Sequence, residues 1–193
     1  MLNNLREYNV MLASKSPRRR ELLSTLRIPF TSINISGIDE SYPEDMVKTE
    51  VPLYIANKKA DAYLSKIKDN DLIITADTVV ILEDQIYGKP AHRDDAIEML
   101  HKLSGKTHKV VTGVCLLTSR CRKSFTTETD VKFAELSDKE IEYYVDNYMP
   151  LDKAGSYGIQ EWIGSVAVEW INGSFYNVIG LPVHQLYMEL KHF

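Results

Sequence analysis

The sequence predicts a mixed α/β protein, with one mixed sheet and helices packed on it. Three observations point there. Short apolar, β-rich runs such as "LIITA" (72–76) and "SVAVEWI" (165–171) are interleaved with segments of helical spacing. The two kinds of segment do not alternate strictly, which argues against a purely doubly wound sheet. The chain has 193 residues, 44% hydrophobic and 26% charged, as expected of about one soluble globular domain spanning residues 1–193.

The elements follow in order. "NVMLA" (9–13) predicts a short buried strand. A helix follows, with Ser16 as its N-cap and Pro17 at its first position. Leu22, Leu23 and Leu26 form its apolar stripe. "FTSINIS" (30–36) is a second strand. Residues 50–67 carry helical spacing through Leu53, Ala56, Ala60, Leu64 and Ile67. "LIITA" has the continuous apolar character of a buried central strand. "TVVIL" (78–82) continues it, and "EDQIYGKP" reads as a turn with a short return segment. Residues 93–103 form a helix through Ala96, Leu100 and Leu103, stopped at Gly105. "KVVTGVCLLT" (109–118) and "FTTETDVKF" (125–133) alternate like paired strands. "SDKEIEYYVDNY" (137–148) opens with the cap Ser137 and Glu140 three residues on. "SVAVEWI" is the last strand, and Pro182 to Leu190 a closing helix.

Several function classes fall away at once. A formal net charge of −4 argues against a general nucleic-acid binder. No run of 18 apolar residues suggests a membrane span, and "MLNNLREYNV" lacks a signal peptide's apolar middle. Cys115 and Cys121 make neither a disulfide framework nor a spaced metal site, so a reducing cytoplasm is the simplest setting. His101 and His108 lack metal-ligand spacing and read as structural or exposed. "LSGKTHKV" (103–110) contains Gly-Lys-Thr, but a P-loop needs a glycine where Leu100 stands, and it follows a strand rather than a helix.

The chemistry concentrates in three places. The helix from Pro17 begins with Arg18, Arg19 and Arg20, three cations on the positive pole of its dipole. On a helical wheel Arg20 falls on the solvent face with Ser24 and Arg27, Arg19 falls on the leucine line, and Arg18 lies at its edge. Either the latter two pair with an acid such as Asp39 or Glu40, or snorkel over the core, or they form an anion site. In that site Ser14, Ser16 and the helix amides would join them. Asp77 follows an apolar strand, where an acid can cap the strand end, hold a divalent metal or act as a base toward water. Lys59 sits at the edge of its helix's apolar stripe, with Lys58 on the opposite side. Lys89 is pinned between Gly88 and Pro90, and Lys153 lies in "LDKAGSYGIQ". Each lysine alone reads as solvated; together they suggest convergence on a polyanion.

From Leu12 to Pro182 these segments resemble the Maf family of nucleoside triphosphate pyrophosphatases. The resemblance runs through "ASKSPRR", "IDESYP", "ANKKA", "ADTVV", "GKP", "KLSGKTHKVVTGV", "DKAGSYGIQ" and "INGSFYNVIGLP". It implies an elongated mixed sheet with two lobes around a cleft, related to inosine triphosphatases. It also implies a cytoplasmic homodimer that uses a divalent metal, Mg²⁺ or Mn²⁺. The family's catalytic acid matches Asp77, and its phosphate contacts match Ser14, Arg18, Arg19, Lys59 and Lys89. A further acid of its site matches Glu40, a candidate metal ligand beside Asp77. Arg18, Thr78 and Gln160 match the branch that hydrolyses dTTP and UTP, where the branch acting on 7-methyl-GTP has Tyr, Gln and Glu. The expectation covers normal and modified pyrimidine triphosphates, between which the sequence does not choose. Lys15 stands where small residues are common in the family, and Arg20 is outside its pattern. The rival expectations are a pyrophosphatase for modified purine nucleotides, and a nucleotide-binding regulator of cell division acting through a partner. Neither a nucleic acid nor a membrane is an expected partner.

Overall fold

The computed structural model describes residues 2–34 and 37–193. Its strands are β1 (Asn9–Ala13), β2 (Thr31–Ile33), β3 (Asp71–Leu82), β4 (Gln85–Tyr87), β5 (Thr107–Leu117), β6 (Arg122–Phe133) and β7 (Val168–Asn172). Its α-helices are α1 (Pro17–Ser24), α2 (Val51–Asp61), α3 (Arg93–Leu103), α4 (Asp138–Tyr148), α5 (Trp162–Val166), α6 (Phe175–Ile179) and α7 (Val183–Lys191). Among the described residues the strands form one seven-stranded sheet, in the order β2-β1-β3-β5-β6-β7 with β4 paired to β3. β1 runs parallel to β2 and β3, whereas β4 is antiparallel to β3 and β7 to β6. The sheet is mixed, as the irregular order of segments predicts.

The chain divides into two compact units, each assembled from separated stretches. Unit 1 comprises Met1–Asp77, Thr112–Thr127 and Gly180–Phe193, and unit 2 comprises Thr78–Val111 and Glu128–Ile179. In unit 1, Ala56, Ala60 and Tyr63 pack with Ile73, Cys115 and Leu117. Gly113 permits a close approach there. A Cβ on it would lie 2.3 Å from the Leu53 nitrogen, so the first turn of α2 rests directly on β5. Unit 2 buries Leu100 and Leu103 of α3 and Ile141 and Tyr144 of α4 with Phe133 and Tyr157. Ser137 and Glu140 close the expected capping box on α4. Asn177 is fully buried and donates to the Val110 carbonyl and the Thr129 hydroxyl, both at 3.1 Å, which gives its segment a structural task within unit 2.

Four expectations are corrected. "TVVIL" continues "LIITA" as expected, in one 12-residue strand, β3, but Asp77 is not at a strand end. β1 pairs with its residues 71–74 and β4 with 80–82, so Asp77 falls inside the strand, between these pairings. The helix expected over 50–67 ends at Asp61, and a further turn buries Tyr63, leaving Leu64 50% exposed. The expected strand over 165–171 begins only at Val168. Ser165 and Val166 belong to α5, closed by the Ala167 amide on the Ile163 carbonyl. Gly164 makes that turn possible, because a Cβ there would overlap the Ile159 carbonyl oxygen. The expected strand over 30–36 is three residues long, and its positions 35 and 36 lie outside the described residues.

Candidate active site

Unit 1 gathers the first set of expected site residues around the N-terminus of α1. The Ser14 hydroxyl accepts from the Ser16 amide at 3.2 Å, and the Ser16 hydroxyl accepts from the Arg19 amide at 3.4 Å. Ser16 is thereby the N-cap and Pro17 opens the helix, as cap chemistry predicts. Arg20 is exposed and Arg18 half-buried. Arg19 reaches inward. Its Nε donates to the Gly180 carbonyl at 2.8 Å and its Nη1 to the Ala76 carbonyl at 2.9 Å. Burial pulls the Arg19 pKa below the usual guanidinium range, opposed by the carboxylates of Asp77 and Glu40 and reinforced by the charge of Arg18. These four side chains therefore share one electrostatic neighbourhood.

Its centre is Lys59. The Lys59 ammonium lies 2.8 Å from Asp77 Oδ1 and 3.0 Å from Glu40 Oε1. The Lys59 and Asp77 side chains are each only 14% exposed, while Glu40 is 55% exposed. Lys58, the next residue on α2, turns away and pairs with Asp39 at 3.1 Å. Hydrogen bonds from Ser41 and Lys58 hold the Asp39 carboxyl at about 2, below its usual value. Of the acids suggested as arginine partners, Asp39 thus pairs with Lys58, while Glu40 pairs with Lys59 and also acts electrostatically on Arg19.

The acid pair fits a divalent cation. Two carboxylates already converge on one positive charge at contact distance. Among the described residues no cluster of three or more His, Cys, Asp or Glu could hold a metal. One or two carboxylates, with water and substrate phosphate completing the shell, is the usual protein share of a Mg²⁺ site.

Unit 2 carries the remaining expected residues. Thr78 follows Asp77 on β3 and is half-buried. Lys89 is exposed, and the carbonyl of Gly88 before it accepts from the Gly155 amide at 3.0 Å. Gln160 is exposed, beside buried Ile159. Lys153 is 8% exposed and pairs with Asp152 at 2.8 Å and Glu161 at 3.1 Å. Tyr144 donates its hydroxyl to the other Glu161 oxygen. Sequence reasoning missed Glu161 and Tyr144, since nothing in the spacing separates Tyr144 from an ordinary core tyrosine. His108 is buried and His101 is exposed, as expected. Cys115 is buried and Cys121 exposed.

The family model described as Maf-like protein matches residues 9–193. The chain belongs to the Maf family. Relatives match it over nearly the whole chain. A protein of Parabacteroides distasonis named dTTP/UTP pyrophosphatase is 58% identical over 193 residues, covering all of both chains. One of the same name from Bacteroides thetaiotaomicron is 54% identical, covering 99% of each. A third, from Christiangramia forsetii, is 42% identical, covering 97% of this chain and 95% of its own. Among solved structures, a HAM1 protein from Coxiella burnetii superposes with a TM-score of 0.52 at 13% identity, covering 96% of this chain and all of its own. That likeness is one of fold alone, and it agrees with the mixed α/β class of the Maf chain.

Proposed function

We propose that this chain is a nucleoside triphosphate pyrophosphatase that converts dTTP and UTP to the monophosphate and pyrophosphate. One observation carries the chemistry: the carboxylates of Asp77 and Glu40 converge on a single cation beside Arg19 and the capped N-terminus of α1. Cations and helix amides suit a polyphosphate, and an acid pair suits the reacting end of one. The choice of nucleotide is supported by relatives 54–58% identical named dTTP/UTP pyrophosphatase, together with Arg18, Thr78 and Gln160.

In the reaction, water attacks the α-phosphorus. A new P–O bond forms, the bond to the bridging oxygen breaks, and pyrophosphate leaves with that oxygen. Asp77 accepts the water proton. Ser14, Arg18, Lys59 and Lys89 contact the phosphates, and Arg19 adds positive charge there while its Nε and Nη1 anchor the two carbonyls. Arg18, Thr78 and Gln160 set the base preference. Gln160 offers amide donors and an acceptor to a pyrimidine edge. Asp77 and Glu40 would hold Mg²⁺ or Mn²⁺, which when bound neutralises phosphate charge and stabilises the leaving group. A homodimer and a cytoplasmic setting belong to the same reading through the Maf resemblance.

The deciding experiment is a panel of nucleoside triphosphates with Mg²⁺ and with Mn²⁺, followed for monophosphate and pyrophosphate. UTP and dTTP should lead, and Asp77→Asn should lower turnover by roughly 10²–10⁴ with nucleotide binding retained. Release of orthophosphate, equal use of purine triphosphates, or wild-type turnover in Asp77→Asn would each overturn the proposal.

A further inference from the structure

The turn that carries Gln160 is held from both ends within unit 2. The Glu161 amide donates to the Gly158 carbonyl at 2.9 Å, closing residues 158–161 into a turn. The Gly158 amide donates to the Tyr144 hydroxyl oxygen at 3.0 Å. That hydroxyl donates to Glu161 Oε2, and Glu161 Oε1 lies 3.1 Å from the Lys153 ammonium. A single tyrosine on α4 therefore joins the first and last residues of the turn, and a buried lysine fixes the last from its other oxygen. Gln160 sits between these anchors, exposed, with Ile159 before it only 6% exposed.

Gly158 couples the anchors to the Gln160 amide itself. A Cβ at Gly158 would lie 3.0 Å from Glu161 Oε2 and 3.1 Å from Gln160 Nε2. The Gln160 amide group thus packs over the same bare backbone that the clamped carboxylate covers. A glutamine free in its rotamers discriminates poorly, since a base-reading amide must keep donor and acceptor in fixed places. A buried lysine–carboxylate pair is also a weak source of stability, because desolvation offsets much of its attraction. Its worth here lies in geometry.

We propose that Tyr144, Glu161 and Lys153 are positioning residues that hold the Gln160 amide in the orientation that selects a pyrimidine base. The inference rests on the assignment of Gln160 to base recognition under the proposed function.

The test uses the full chain and measures kcat and KM for UTP and GTP, alongside thermal melting. The variants are Tyr144→Phe, Glu161→Gln, Gln160→Ala and the Tyr144→Phe/Gln160→Ala double. In Tyr144→Phe the UTP-to-GTP ratio of kcat/KM should fall about tenfold, mostly through the KM for UTP, with kcat for UTP within about twofold. The double variant should discriminate no worse than Gln160→Ala alone, because one route is lost twice. Glu161→Gln, which still accepts from Tyr144, should keep more of the ratio than Tyr144→Phe. A folded Tyr144→Phe protein with the wild-type ratio, while Gln160→Ala has lost it, overturns the clamp. An equal fall for both nucleotides in Tyr144→Phe overturns it as well. An unchanged ratio in Gln160→Ala overturns instead the base-reading role on which the clamp rests. Should Tyr144→Phe fail to fold, Gly158→Ala replaces it. Added bulk against Glu161 Oε2 and Gln160 Nε2 should cost the same ratio, and an unchanged ratio there is refuting.

Discussion

Mild acid should weaken this fold through one histidine. His108 of β5 is 2% exposed, and its Nε2 lies 2.7 Å from the Tyr157 hydroxyl. Its ring meets Phe133 edge-on at 4.9 Å and Tyr157 at 5.4 Å. In that aromatic setting, burial pushes the His108 pKa from 6.5 down to about 4. The unfolded chain takes up the proton first as pH falls. Stability is therefore complete above about pH 6.5, declines as pH drops toward 4, and loses nothing further from this group below the folded pKa. At about 1.4 kcal/mol per pH unit, the loss over the interval reaches about 3 kcal/mol. With a urea m-value of about 2–3 kcal/mol per M, the midpoint should move by about 1 M or more. Urea unfolding at several pH values, on wild type and His108→Leu, measures it. Carboxylates contribute to both proteins, so the difference between their pH profiles isolates the histidine. Parallel profiles, or an imidazole titrating near 6.5 in the folded protein, would refute the reasoning.

Two further substitutions probe the packing that supports the site. Gly113→Ala should destabilise the protein by about 3 kcal/mol or more, because its Cβ meets the backbone of α2 and no side chain can yield; urea unfolding reads the loss, and a wild-type midpoint would show that α2 does not rest on β5. Arg19→Lys should cost about 2 kcal/mol despite conserving charge, since one ammonium cannot reproduce the guanidinium fork that reaches both Gly180 and Ala76. The same unfolding assay measures it, and neutral behaviour would mean that the two carbonyls do not depend on Arg19.

Features governed by local chemistry were legible in the sequence. Ser16 before Pro17, and Ser137 three residues before Glu140, cap their helices as their side chains dictate. The wheel also placed Arg20 outward, and the edge position of Lys59 proved to be an approach to Asp77. What could not be read depends on distant partners. Asp77 reads as an acid at a strand end, yet β3 continues through it, with β1 and β4 each paired to one of its ends. Arg19 faced inward as expected, but no spacing encodes a carbonyl 57 residues away at Ala76 and another 161 away at Gly180. Helix length was overread at α2, where Tyr63 rather than Leu64 continues the buried side beyond the helical register.

The bond from Arg19 to Gly180 has a consequence for how the protein is made. Unit 2 is complete once Ile179 has been added, whereas unit 1 still lacks Gly180–Phe193. That segment supplies the Gly180 carbonyl to Arg19, the Leu190 carbonyl to Asn4 at 2.8 Å and the Glu189 carboxylate to Lys123 at 2.5 Å. At a synthesis rate of roughly 5–20 residues per second, Arg19 waits on the order of 10 to 30 s for its second carbonyl. The arginine latch beside Asp77 therefore closes only after all of unit 2 has been synthesised. A chain halted before Gly180 would keep every candidate side chain of the site and still leave that latch open.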